Sequence, residues 1–138
     1  MVRYAVFSDI HGNLEALEAF EANSRQQEVD YYLCGGDIVG YGADPVACLE
    51  KVKSLCAKSP NDKKAIVIGN HDAAAAQSGL TNMNRYAEEA LEWTRKRLST
   101  SARIELASLP LSWQLNEEII LVHASPRQPE VWPYIMDT

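Results

Sequence analysis

The chain has 138 residues, a formal net charge of −6 and a sequence pI near 5.0. That is one domain's worth of protein, long enough to bury about two-thirds of its unfolded surface. The acidic balance argues against a nucleic-acid backbone reader, which would be basic, and it gives an anionic substrate no long-range attraction, so local positive charge has to come from bound cations.

Residues 2–7 form a nearly unbroken apolar run with one Arg, the pattern of a parallel strand covered on both faces. A helix is expected from about residue 14, with Leu14, Leu17 and Phe20 as apolar positions and Asn13 as N-cap. Glu15 and Glu18 suit the positive end of its dipole. Residues 29–34 are the next strand, closed by Gly35-Gly36, and Cys34 inside it packs as a small hydrophobe. Asp44-Pro45 reads as an N-cap followed by Pro at the first helical position, opening a helix to about residue 55. Residues 63–68 are a third strand. The order β-α-β-α-β implies a parallel sheet with right-handed crossovers.

Residues 84–98 carry the clearest helical period, with Ala87, Ala90, Leu91, Thr94 and Leu98 in one stripe. A shorter helix is expected over 102–108, then a hairpin of 111–115 with 119–122 turning at Asn116-Glu117. Residues 126–138 contain Pro but also Val131, Trp132, Tyr134, Ile135 and Met136. No linker or repeat divides the chain, so residues 1–138 read as one domain. Cys34, Cys48 and Cys56 have neither disulfide nor zinc-knuckle spacing, which points to a reducing cytosol. No signal peptide or membrane span is recognisable.

Three stretches bear the chemistry: Asp9-Ile10-His11, Gly36-Asp37 and Gly69-Asn70-His71-Asp72, each directly after an apolar run. A fourth run ends in His123. Open parallel sheets bind ligands outside the carboxyl ends of their strands. Asp9 and His11 lie two apart on a turn and can face one cation. Asp37 follows two glycines that allow close backbone approach, and its two oxygens can bridge two metals. Asn70 offers a neutral oxygen and His71 an imidazole. Such mixed donors suit Mn²⁺, Fe, Zn²⁺, Co²⁺ or Ni²⁺ better than Ca²⁺. Two ions about 4 Å apart can share a hydroxide and clamp both oxygens of an in-line displacement at phosphorus.

Each residue alone has a plainer reading. An Asp after a strand is commonly a turn former, Asn70 alone would cap a helix, and a lone His123 would be structural. The combination, three loops presenting metal-type side chains at one sheet edge, favours the metal site. Gly12, Gly36 and Gly69 mark tight turns beside it. Gly40 and Gly42 in Val39-Gly40-Tyr41-Gly42 are weak evidence for a phosphate cradle and read better as a flexible loop; Tyr41 and residues 73–82 read as surface loop, with a place bordering the pocket as the alternative.

The order Asp-x-His, Gly-Asp, Gly-Asn-His-Asp and a strand-borne His resembles the calcineurin-like metallophosphoesterase family. Ser8-Asp9-Ile10-His11-Gly12-Asn13 and Gly36-Asp37-Ile38-Val39-Gly40-Tyr41-Gly42 are similar to its small stand-alone bacterial and archaeal members. The resemblance spans essentially the whole chain. It implies an α/β fold, the αββα sandwich, here as the N-terminal βαβαβ parallel half plus the start of the second sheet. It implies that Asp9 and His11 hold one divalent metal ion, Asn70 and His123 a second, with Asp37 bridging. The implied nucleophile is a hydroxide activated by both metals. His71 would face the substrate, steadying phosphoryl oxygens or protonating the leaving group. Asp72 would orient His71 or a nearby loop. The implied activity is cytoplasmic hydrolysis of phosphomonoesters or phosphodiesters, on a small phosphorylated molecule or nucleotide.

Two departures matter. Protein Ser/Thr phosphatases of this superfamily carry an Arg shortly after Gly-Asp; here Ile38-Val39-Gly40-Tyr41 stand there, so that substrate class loses support. The family also closes its site with a later Gly-His-x-His, whereas His11, His71 and His123 are all the histidines present. Each metal is then expected to lack one ligand, with partial loading, and the sequence reads as the N-terminal part of a longer member. An uncovered sheet edge and the aromatic segment around Trp132 and Tyr134 are expected to promote a homo-oligomer. The alternative to an enzyme is a weakly active or inactive metal-binding scaffold of the same fold. A Rossmann-type nucleotide binder is disfavoured, because no Gly-x-Gly-x-x-Gly follows the first strand.

Overall fold

Two apolar runs too short to be helices pair side by side in the computed structural model, which describes residues 1–58, 64–77 and 83–133. They are β1 (Tyr4–Phe7) and β2 (Tyr31–Cys34), parallel, with Tyr4 beside Tyr31 and Phe7 beside Cys34. The crossover between them is α1 (Leu14–Gln26), whose N-cap Asn13 accepts from the Ala16 N–H at 3.0 Å. Phe20 of α1 packs on Phe7, with ring centroids 4.7 Å apart. Ser24 of the same helix hydrogen-bonds the Tyr32 hydroxyl at 2.8 Å. After β2 the chain loops to α2 (Pro45–Leu55), entered through Asp44 and Pro45 as expected.

The third expected strand is reduced to one point of pairing. Residues 64–68 run beside β2 but form a single parallel bridge, Cys34 with Ile66; residue 63 lies outside the described residues. The Cys34 N–H donates to Ala65 O at 2.8 Å and Val67 N–H to Cys34 O at 3.0 Å. The ladder stops there because β2 ends, and because the Ile68 N–H is already taken by Pro110 O at 2.9 Å.

Next comes α3 (Asn70–Ala76), a helix where a surface loop was expected. Four consecutive alanines are the strongest helix formers available, and Asp72 at the third position accepts from the Gly69 N–H at 3.2 Å, half of a capping box. Ala73, Ala74 and Ala75 are buried. The following helices are α4 (Arg85–Arg97) and α5 (Thr100–Ala107). In α4 the stripe Ala87, Leu91 and Thr94 is buried, continued by Leu98. Helix α5 starts two residues earlier than the pattern suggested, because Ser99 caps it by accepting from Ala102 N–H at 3.1 Å. The hairpin is β3 (Ser112–Gln114) antiparallel to β4 (Ile120–Val122).

The first sheet separates two packed clusters. On one face, Cys34, Ile66 and the half-buried Phe7 and Tyr32 pack with Leu17, Leu49, Val52, Leu91 and Leu106 from the helices. On the other, Leu33, Ala65 and Val67 pack against Trp113, Leu115 and Leu121 of the hairpin. Helices, sheet and a second small sheet thus stack as layers, the mixed α/β arrangement expected. Strand β1 is the exception: it is not covered on both faces, since Tyr4 is 37% and Val6 61% exposed. The hairpin reaches over β2 and residues 65–67 and leaves β1 open. The three cysteines are buried free thiols, and burial pushes the Cys56 thiol up to about 12. Among the described residues no helix is long and apolar enough to cross a membrane.

Candidate metal centre

Asp9, His11 and Asp37 all adopt left-handed backbone, with φ of 55°, 50° and 53°. L-residues avoid this region at about 1–2 kcal/mol each. Surrounding bonds hold them there. Past the ends of β1 and β2 the two loops stay zipped: Asp9 N–H to Gly36 O and His11 N–H to Asp37 O, both 3.0 Å, and Gly12 N–H to Ile38 O, 2.9 Å. Of the six non-glycine residues with left-handed backbone among the described ones, these three lie together at one sheet edge, and strain gathered at one place is a feature of preorganised sites.

Asp37 is the centre of the cluster and is buried. Its Oδ1 accepts from the His71 backbone N–H at 2.8 Å. Its Oδ2 lies 3.8 Å from His11 Nε2 and 3.4 Å from His123 Nε2. His11 Nε2 is also 3.8 Å from Asp9 Oδ1, and His123 Nε2 is 3.0 Å from Asn70 Oδ1. Side chains from residues 9, 11, 37, 70 and 123 therefore meet in one place. Two triplets have donor atoms within 4.8 Å of one another: Asp9, Asp37 and His123, and His11, Asp37 and His71. The second triplet includes His71, which the family resemblance keeps out of the ligand set. At position 69 a Cβ would stand 2.0 Å from Asp37 Oδ1, so only glycine lets α3 start against this carboxylate.

The histidines show how the pocket is poised. His123 Nδ1 lies 2.8 Å from Gly35 O, a bond that makes Nδ1 the donor and turns Nε2 inward. Nε2 then faces two oxygens, Asp37 Oδ2 and Asn70 Oδ1. Oxygen lone pairs tolerate that nitrogen only if a proton or a metal ion sits between them. With a proton, burial works against the charge, but the Asp37 hydrogen bond prevails and lifts His123 to about 9. Burial likewise opposes the charge on Asp37, and His123 overrides it, holding that carboxyl below its ordinary value. A divalent cation would replace the proton with Nε2 as ligand. His11 repeats the arrangement more loosely, Nδ1 at 3.3 Å from Val39 O and Nε2 toward the carboxylates. Buried His71 Nδ1 has no hydrogen-bond partner, and burial lowers this imidazole's pKa. Carboxylate and amide oxygens and imidazole nitrogens converging on one polar position fit a borderline-soft divalent ion.

Asp72 is wholly buried, and its carboxylate is occupied by backbone. Oδ1 accepts from Ile38 N–H at 2.9 Å and Val39 N–H at 3.1 Å, and Oδ2 from Gly69 N–H. Burial and then the charge of Asp37 lift its carboxyl to about 7 against these three bonds. It thereby fastens the loop after β2 to the start of α3. That loop is packed rather than open: Ile38 and Val39 are fully buried. Tyr41 is half exposed, yet its ring centroid lies 5.1 Å from His11 and 4.9 Å from His71, so it borders the site. Sequence reasoning missed Thr94, whose Oγ1 donates to Gly40 O at 2.7 Å in the core. A lone hydroxyl on the apolar stripe of α4 was the available signal. It also missed Ser8, whose hydroxyl donates to Asp9.

A family model for the calcineurin-like phosphoesterases matches residues 2–136. An uncharacterized protein of Methanocaldococcus jannaschii is 38% identical over 135 residues, which make up 95% of this chain and 53% of that protein. Among solved structures, a metallophosphoesterase from Sphaerobacter thermophilus matches with a TM-score of 0.76 at 38% identity, covering 97% of this chain and 51% of that one. A hypothetical protein from Pyrococcus horikoshii OT3 matches at 0.75 and 27% identity, covering 94% and 57%. The chain spans about half the length of these relatives.

Proposed function

The chain belongs to the calcineurin-like phosphoesterase family, and on that premise we propose that it serves metal-dependent hydrolysis of phosphomonoesters or phosphodiesters in the cytosol. Small phosphorylated molecules or nucleotides are the substrates this reading favours. Asp9 and His11 hold one divalent ion, Asn70 and His123 the other, and Asp37 serves both. When bound, the ions supply Lewis acidity toward phosphoryl oxygens and a nucleophile at neutral pH. The observation that carries the reading is His123: its Nδ1 is tied to Gly35 O while its Nε2 is aimed at Asp37 Oδ2 and Asn70 Oδ1.

The remaining roles fall to the protein. His71 brings a ring nitrogen without a protein partner, available to a phosphoryl oxygen or to the leaving group. Asp72 acts as a positioning residue, keeping the loop after β2 against α3. Tyr41 borders the substrate's approach from its half-exposed position. The buried side chains of Ile38 and Val39 support setting aside phosphoprotein recognition by an arginine after Asp37.

The test is hydrolysis of bis(p-nitrophenyl) phosphate with added Mn²⁺, alongside Mn²⁺ binding by calorimetry. Turnover that depends on the metal and falls about 100-fold or more in Asp37→Asn is expected. Mn²⁺ binding without turnover would favour the scaffold reading, and neither would remove the metal site.

A further inference from the structure

We propose that Tyr41 is the specificity-determining residue of the site, a fixed aromatic shelf that takes the flat ring of a substrate's organic group. The substrate class is phosphate esters that carry a planar aromatic ring, either next to the phosphoryl group, as in aryl esters, or a sugar away, as in nucleotides. This inference rests on the phosphoesterase reading and deepens it.

Three rings meet beside the metal centre. The Tyr41 ring centroid lies 5.1 Å from that of His11 and 4.9 Å from that of His71, and the two imidazoles are 4.7 Å apart. The imidazoles are the inner pair: His71 is 8% exposed and the His11 side chain 23%. Tyr41 is the outer member and stays 50% exposed. His11 Nε2 faces the Asp9 and Asp37 carboxylates. His71 is the residue offered to a phosphoryl oxygen or to the leaving group. A phosphoryl group in reach of His71 brings the first atoms of its ester group beside the Tyr41 ring.

The loop that carries Tyr41 is tied down on both sides. Ile38 and Val39 N–H donate to Asp72 Oδ1, Gly40 O accepts from Thr94, and Gly42 N–H donates to His11 O. Among the described residues nothing hydrogen-bonds the Tyr41 hydroxyl, so the ring is held by packing. A large ring that folding has fixed but left half uncovered requires little further ordering when a ligand stacks on it.

The chemistry of the wall selects the ligand. Ile38-Val39-Gly40-Tyr41-Gly42-Ala43 carries no charge, so it offers no cation to a second phosphate. A phenol ring attracts flat aromatic groups by offset or edge-to-face contact, and aromatic side chains take nucleobases in the same way. A saturated group of similar size gains only burial. The rival role for Tyr41 is a prop for the two imidazoles. A prop affects every ligand alike, whereas a shelf discriminates between ligands that share a head group.

The experiment measures, by calorimetry on the Mn²⁺-loaded chain, the affinity for three phosphonates that cannot be hydrolysed: cyclohexylphosphonate, phenylphosphonate and an acyclic phosphonate bearing adenine. At least one flat ligand is expected to bind at least about fivefold more tightly than the cyclohexyl one. A preference for phenyl assigns the shelf to aryl esters, and a preference for adenine assigns it to nucleotides. Tyr41→Leu keeps apolar bulk against the imidazoles and should abolish the preference, whatever loss all three ligands share. Tyr41→Phe should keep it. Tyr41→Trp, with a larger π face, should raise it, a result that holds even where the leucine variant loses Mn²⁺. Flat and saturated phosphonates that bind equally or not at all, a preference that survives in Tyr41→Leu, or one that does not rise in Tyr41→Trp overturns the proposal. Mn²⁺ binding by the parent leaves the phosphoesterase reading standing in each of those cases. A parent chain that binds no Mn²⁺ overturns that reading and this inference with it.

Discussion

Thr94 shows how a single side chain can govern the site without touching it. Its hydroxyl donates to Gly40 O at 2.7 Å, and Gly40 is wedged between two rings: a Cβ there would stand 2.8 Å from His11 Nδ1 and 2.9 Å from His71 Nδ1. Thr94→Val keeps the shape and leaves a buried carbonyl unpaired, at a cost of about 1–3 kcal/mol. Urea denaturation should show that loss, and Thr94→Ser should recover most of it. A pH effect belongs to the same scale. His123 is raised to about 9 and Asp37 is lowered. A raised histidine contributes stability that is complete below its unfolded value and disappears as pH climbs through about 9; a lowered carboxylate contributes stability that disappears as pH falls through its folded value. Asp72, raised to about 7, adds a loss of its own as pH rises from the ordinary carboxylate range, so the share of the pair is read in chelator as the Tm difference between the parent and His123→Gln, which should hold up to the ordinary histidine range and shrink as pH climbs through about 9. A difference that does not shrink there would show that this pair does not set the alkaline loss. Asp9, Asp37 and His123 were legible as a group because each follows an apolar run. Thr94 and Ser8 were not, since their partners are atoms that only packing brings near.

At the scale of elements, local signals were read where they act locally. Helices α1 and α2 carry their caps or a proline in the sequence, and the expected ends of α2 and α4 lie within one residue of those found. Helix α3 was hidden, because Asn70, His71 and Asp72 draw attention as ligands while also forming a helical first turn. What ends α3 is not local at all. Arg95 of α4 donates to Ala74 O through Nε at 2.9 Å and through its terminal nitrogen, and to Gln77 O at 3.3 Å. Ala74 O lies in the last turn, whose carbonyls have no partners within the helix, and Gln77 is the residue that caps it. Arg95→Ala should cost about 1.5–3 kcal/mol, the range for bonds to a charged donor, read as a lower urea midpoint. Lys96→Ala next to it, whose partner is the exposed Glu92, should cost less than about 0.5 kcal/mol. A similar cost for both would mean that Arg95 does not hold α3.

At the scale of the molecule, the layers tie the hairpin to the chemistry. The two short runs of residues 111–115 and 119–122 around Asn116-Glu117 predicted the hairpin, but not that it would lie over β2, because strand order and layer are set by contacts distant in sequence. Trp113 is the anchor: it is 5% exposed and packs with Leu33, Ala65 and Val67 on the sheet. His123 leaves the end of β4 and reaches Gly35 O and Asn70 Oδ1. If the hairpin loosens, His123 moves away from the site, although Trp113 touches none of the candidate ligands. Trp113→Ala should cost about 3–5 kcal/mol for the lost ring, and it should also weaken Mn²⁺ binding measured well below the new Tm. Trp113→Phe separates the two effects. It keeps most of the packing and removes an indole N–H that is buried without a partner, so both stability and binding should stay near those of the parent. Ile104→Ala, at a position 65% exposed on α5, should change neither. Calorimetric Mn²⁺ titration of the three variants decides between the two: full binding in a destabilised Trp113→Ala protein would show that the hairpin and the metal centre are held independently.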